Sequence, residues 1–127
     1  MYGIEVATEN SEFKHKTLSD CRTLNCLRMD VTVKNAAGTS RFVRPKGFNC
    51  WLEYWESLKG KLDESKLYRC PACGKLSYRS NFDGAHVEVV YANNRKLSIV
   101  PLCSGCNHRT DNFAVESTLL VPVPSNL

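Results

Sequence analysis

No stretch of this 127-residue chain is apolar for long enough to cross a bilayer, so no membrane-spanning role is expected. The N-terminal stretch MYGIEVATENSEFKHK lacks the basic-then-apolar pattern of a secretory signal, which points to a cytoplasmic protein. Internal repeats, low-complexity tracts and linker-like runs are also missing, so residues 1–127 are expected to form one domain. Acidic residues are absent from two stretches. Residues 34–46 hold Lys34, Arg41, Arg44 and Lys46, and residues 65–82 hold Lys66, Arg69, Lys75 and Arg79. Such stretches can form a phosphate-binding face, or they can be two solvated surface segments. Histidine is scarce, with three in the chain, so its positions carry weight.

What is present is ordinary for a globular protein: 43% hydrophobic residues, 24% charged residues and a net charge of +4. Cysteine is the exception. Seven is a high and odd count, and four of the seven fall into two C-x2-C pairs. A secreted disulfide framework favours an even count and a signal segment, so metal binding is the better reading.

The first half reads as a hairpin followed by a helix. Leu27, Met29, Val31 and Val33 alternate with polar residues, the period of a half-buried strand. NAAG supplies a turn, and TSRFV is the expected return strand. NCWLEYWESLKGKL reads as a helix with Asn49 as its N-cap and Gly60 near its end. Its apolar stripe is Trp51, Leu52, Trp55, Leu58 and Leu62, which makes the two tryptophans core residues rather than base-stacking platforms. Glu53 and Glu56 lie toward the positive end of this helix.

The second half carries the chemistry. FDGAHVEVVY and KLSIVPLC read as two strands joined by ANNRK, SGCNHRTDNFAV opens as a short helix, and TLLVPVP ends in a short edge strand. Cys70 and Cys73 precede this hairpin, and Cys103 and Cys106 follow it. Four thiolates at that spacing suit a tetrahedral zinc ion with no open position, which makes the zinc structural. Cys21, Cys26 and Cys50 remain, and with His15 they are either a second metal site or buried free thiols. The fold class expected is α+β: an N-terminal β-hairpin and helix (1–66) packed on a C-terminal four-cysteine zinc module (67–127).

A zinc knuckle, a hairpin and a second knuckle opening a helix is the order of a treble-clef module. With CPACG, GAHVEV, IVPLCSGCN and the adjoining HR, residues 68–115 resemble an HNH (His-Me finger) endonuclease module. The resemblance implies a ββα-metal fold and metal-dependent cleavage of DNA. It makes His86 the general base and Asn107 or His108 a ligand of a catalytic Mg2+ or Mn2+ ion. Arg79, Arg95 or Arg109 would then clamp the phosphate. Two positions depart from that pattern. Ala85 stands where an acidic ion ligand is common, with Asp83 or Glu88 as substitutes. The bracing asparagine is missing before the second knuckle, with Asn93 and Asn94 nearby in the turn. The main expectation is a zinc-stabilised, metal-dependent DNA endonuclease; the departures motivate the alternative, a non-catalytic zinc module that binds nucleic acid or protein.

Overall fold

The computed structural model describes residues 29–38, 45–92 and 96–124. They form a helix on a mostly antiparallel five-stranded sheet, with a small two-stranded sheet beside it. In chain order the elements are β1 (Asp30–Asn35), α1 (Trp51–Lys59), β2 (Leu67–Arg69), β3 (Leu76–Tyr78), β4 (Phe82–Val89), β5 (Leu97–Cys103), α2 (Ser104–Asn107), β6 (Phe113–Glu116) and β7 (Val121–Pro122). The large sheet runs β6-β1-β4-β5-β7, and β2 pairs with β3.

β5 is an inner, apolar strand. Ile99, Val100 and Leu102 are all fully buried, so both of its faces are covered. β4 pairs with it in an unbroken register from Phe82↔Cys103 to Glu88↔Leu97. β7 pairs only with Ser98 and Ile99, at the sheet edge expected for a proline-bearing strand.

β1 pairs with β4 through Val33–Asn35 and with β6 through Asp30–Val33, so it is an inner strand of the C-terminal sheet. The expected return strand, TSRFV, lies outside the described residues. Met29, expected on the buried side, is 65% exposed beyond the start of β1.

The helix is where the periodicity placed it, with a narrower apolar stripe. Leu52 and Trp55 are buried, whereas Leu58 is 60% exposed. Trp55 is fully buried and its indole N–H donates to the Leu119 carbonyl at 2.7 Å. Cys50, not Asn49, occupies the N-cap position, and no side chain caps there. Asn49 acts in reverse: its backbone N–H donates to Glu53 Oε1 at 3.0 Å. Gly60 closes the helix, its N–H donating to the Glu56 carbonyl.

Strand parity places the two helices on opposite faces of the sheet. Successive strand residues point to opposite sides. Gly84 and His86 face α1. A Cβ on Gly84 would stand 2.6 Å from the Trp51 carbonyl carbon, and the His86 ring meets the Trp51 ring. Asp83, Ala85 and Val87 face the other way, with Val33 and Asn35 of β1 in register. Asn35 reaches the second knuckle on that side. The core therefore fills both faces, and the sheet is the wall between α1 and α2.

Candidate metal centre

The first knuckle is a turn between β2 and β3. The Cys70 N–H donates to the Lys75 carbonyl, and the Gly74 N–H donates to the Cys70 carbonyl, each at 2.8 Å. Gly74 sits at φ 78°, a conformation that glycine adopts without strain. The second knuckle is the junction of β5 and α2, where the Arg109 N–H donates to the Cys106 carbonyl at 3.2 Å. Backbone N–H groups already point at sulfur: Cys103 N–H to Cys70 Sγ at 3.4 Å and Lys75 N–H to Cys73 Sγ at 3.5 Å.

The Sγ atoms of Cys70, Cys73, Cys103 and Cys106 all lie within 4.8 Å of one another. The Cys73–Cys103 pair is 3.8 Å apart. With Zn–S bonds of about 2.3 Å, the edge of a regular tetrahedron is about 3.8 Å, so the spacing fits zinc. Four sulfurs fill the coordination sphere, which suits a structural ion. In the metal-free protein, burial pushes the Cys70 and Cys106 thiols up. Burial opposes ionisation of Cys103 too, but hydrogen bonds from the Cys106 backbone and neighbouring thiols outweigh it and lower that thiol. A bound dication removes the conflict, because a coordinating thiol is deprotonated outright. No other metal-ligating cluster occurs among the described residues. His15, Cys21 and Cys26 lie outside them. Cys50, read as a buried thiol or second-site ligand, is exposed.

The other expected site residues are not brought to one point. His86 is 9% exposed, and its ring lies 4.7 Å from that of Trp51 on the α1 face. Burial lowers its proton affinity. Asn107 Nδ2 donates to Asp83 Oδ2 at 3.2 Å on the opposite face. His108 is exposed, with Nδ1 2.7 Å from the Ser104 carbonyl oxygen. Glu88 shares the His86 face, as parity requires, but pairs with Lys34 at 3.1 Å.

The arginines are engaged as well. Arg79 forms two hydrogen bonds to Glu56, at 2.9 and 2.7 Å. Glu56 is itself buried and also accepts the Leu62 N–H at 2.7 Å. Glu56, read from the sequence only as lying toward the positive end of the helix, thus ties α1 to Arg79 at the end of β3. Arg109 forms a fork with Asp111 at 2.9 and 2.6 Å and stacks over Phe113. Arg95, Asn93 and Asn94 lie outside the described residues.

Sequence reasoning missed two residues. Asn35, taken as part of a turn, donates from Nδ2 to the Cys106 carbonyl at 2.8 Å and the Arg109 carbonyl at 2.9 Å. The signal was parity, since Asn35 continues the inward series Val31, Val33 with a polar residue. Gly84 was passed over because only the approach of α1 makes a side chain impossible there.

No family model matches the chain, and no solved structure matches it. Among curated proteins it is similar to the E3 ubiquitin-protein ligase KCMF1 of Homo sapiens, Mus musculus and Danio rerio, at 27% identity over 105 residues in each case. These matches cover 74% of this chain but only 27–28% of the relatives, so the chain spans a little over a quarter of their length. Among the described residues, no helix is long and apolar enough to cross a membrane.

Proposed function

We propose that the chain is a zinc-stabilised, non-catalytic binding module whose partner is a protein. The observation that carries this reading is the engagement of the polar side chains around the metal centre. His86 is packed under Trp51, Arg79 is held by Glu56 and Arg109 by Asp111. A phosphate would have to displace a carboxylate from each arginine before either could act as a clamp. The similarity to a ubiquitin-protein ligase supports a protein partner over nucleic acid. Zinc supplies rigidity: the closed ion ties β2, β3, β5 and α2 together at one corner of the fold. The test is DNA affinity of the zinc-loaded chain across a salt series, where a steep salt dependence would reverse the choice of partner.

A second reading is an HNH-type DNA endonuclease with a catalytic Mg2+ or Mn2+. One observation favours it. Asn107 directly follows the last cysteine and lies beside the Asp83 carboxylate, so an oxygen ligand stands where Ala85 offers none. In that reading Asp83 and Asn107 hold the ion and His86 acts as the base. Plasmid cleavage with Mg2+ or Mn2+ that disappears in His86→Ala would select it over the first.

A further inference from the structure

The four sulfurs of the metal centre do not share one environment. Cys70, Cys103 and Cys106 are buried, whereas Cys73 is exposed. The chain path explains the difference. Cys103 ends the inner strand β5, paired with Phe82, and Cys106 lies in α2 directly after it. Cys73 stands in the turn between β2 and β3, one residue before Gly74 at φ 78°. A groove of about 630 Å³ opens beside this turn, and its walls include Cys73, Cys103 and Cys106 but not Cys70. A small solute therefore meets the centre from the side of Cys73.

The chemistry of a loaded centre follows from its charge. A cysteine that ligates zinc is a thiolate, and the thiolate is the form of sulfur that oxidants attack. Four thiolates on one dication leave the centre formally −2, so it presents electron-rich sulfur to the groove. Cys73 Sγ lies 3.8 Å from Cys103 Sγ, so an oxidised Cys73 has a second thiolate within reach on the same groove wall. Cys70 is turned to the interior, where its Sγ accepts the Cys103 N–H at 3.4 Å.

We propose that Cys73 is an oxidation site through which a hydroperoxide opens the metal centre, with Cys103 as the resolving thiolate. The proposal rests on the zinc-centre reading above and adds a control over it. The Cys73 thiolate attacks one peroxide oxygen: an S–O bond forms, the O–O bond breaks, and the departing hydroxide takes a proton from water. The Cys103 thiolate then attacks the Cys73 sulfur: the S–S bond forms, the S–O bond breaks, and the second hydroxide is protonated in turn. Two electrons pass from sulfur to peroxide. Two thiolates, one hydrogen peroxide and two protons give one disulfide and two waters. Cys70 and Cys106 remain as half of the ligand set, too few to hold the ion. The tie between the β2–β3 turn and the β5–α2 junction is then lost, and with it the rigidity of that corner.

The test exposes the full zinc-loaded chain to hydrogen peroxide with a chromogenic chelator present. Dimedone, added to a parallel sample, traps sulfenic acid, and mass spectrometry of alkylated peptides locates it and any disulfide. The expected result is sulfenic acid first on Cys73, then a Cys73–Cys103 disulfide, with zinc released in step with the disulfide. A thiol reductant with added zinc should restore the loaded centre. Cys73→His keeps four zinc ligands without the exposed thiolate, and should release zinc at least tenfold more slowly. Cys50→Ser, which removes the other exposed thiol among the described residues, should match wild type. If Cys73→His does not hold zinc, the order of trapping in wild type decides. Another of the four cysteines trapped first, a disulfide that omits Cys73 or Cys103, or equal release from Cys73→His would each overturn the proposal. A loaded centre that keeps its zinc in peroxide removes this proposal alone. A chain isolated without zinc removes the metal-centre reading as well.

Discussion

The imidazole of His86 meets the indole of Trp51 edge-on, with ring centroids 4.7 Å apart and planes at 78°. That contact holds a titratable group in the core, and burial lowers its proton affinity below the usual histidine value. The unfolded chain binds the proton more readily than the folded one, so stability rises with pH through this window. The stability that neutral His86 contributes is complete above about pH 6.5 and is lost as the pH falls toward the folded pKa. Each tenfold loss of proton affinity on folding corresponds to about 1.4 kcal/mol. Urea unfolding of wild type and His86→Leu at pH 7.5 and 5.5, with zinc saturating, checks this. Wild type should lose more stability than the variant on acidification, and a smaller loss in wild type would contradict the burial argument.

Arg79 and Glu56 form a nearly buried pair, with side chains 17% and 6% exposed. Removing one partner strands the other, which typically costs about 3–5 kcal/mol. Arg79→Ala should therefore destabilise the fold by roughly that amount in chemical denaturation. Replacing both residues with leucine should recover part of the loss. A loss below about 1 kcal/mol for Arg79→Ala would mark the pair as an ordinary surface ion pair.

Asn35 links the sheet to the second knuckle across 71 residues of sequence. Asn35→Ala removes one donor from the Cys106 and Arg109 carbonyls, at about 0.5–1.5 kcal/mol for each part-buried bond lost, while the Cys106 carbonyl keeps the Arg109 N–H. About one zinc per chain is expected by elemental analysis, and a chelator should abolish cooperative unfolding of the C-terminal half. Zinc transfer to a chromogenic chelator should be faster in Asn35→Ala than in wild type. Equal rates would show that Asn35 does not brace the metal site.

Gly84→Ala should be more damaging than a small residue normally is. The added carbon would meet backbone atoms of Trp51 and Leu52, which cannot rotate aside as a side chain can. Overpacking of this kind costs about 1–3 kcal/mol or more, and α1 must shift off β4. Thermal unfolding gives the loss. A change within a few tenths of a kcal/mol would mean that the helix yields freely.

The local signals in the sequence were strong where a period or a spacing was complete. The C-x2-C pairs picked out the four cysteines that cluster closely enough to hold one metal ion, and the strands around His86, the helix at Trp51 and the edge strand at Val121 lay where patterning put them. Pairing was not legible in the same way. β1 follows a strand period, but nothing local says that its neighbours are β4 and β6 rather than the next segment. Long-range partners also decided the polar residues. Arg79 looked like a phosphate clamp because Glu56, 23 residues away, is invisible to any local rule. His86 and Asn107 fall at adjoining motif positions, yet strand parity and the route of the chain after Cys106 send them to opposite faces.

The most direct test of the central claim is plasmid nicking by the zinc-loaded chain in Mg2+ and in Mn2+, with His86→Ala alongside. The expected result is no nicking above buffer for either protein, because His86 is packed under Trp51 and apart from Asn107. Nicking by wild type that vanishes in His86→Ala would contradict the non-catalytic reading and establish a nuclease.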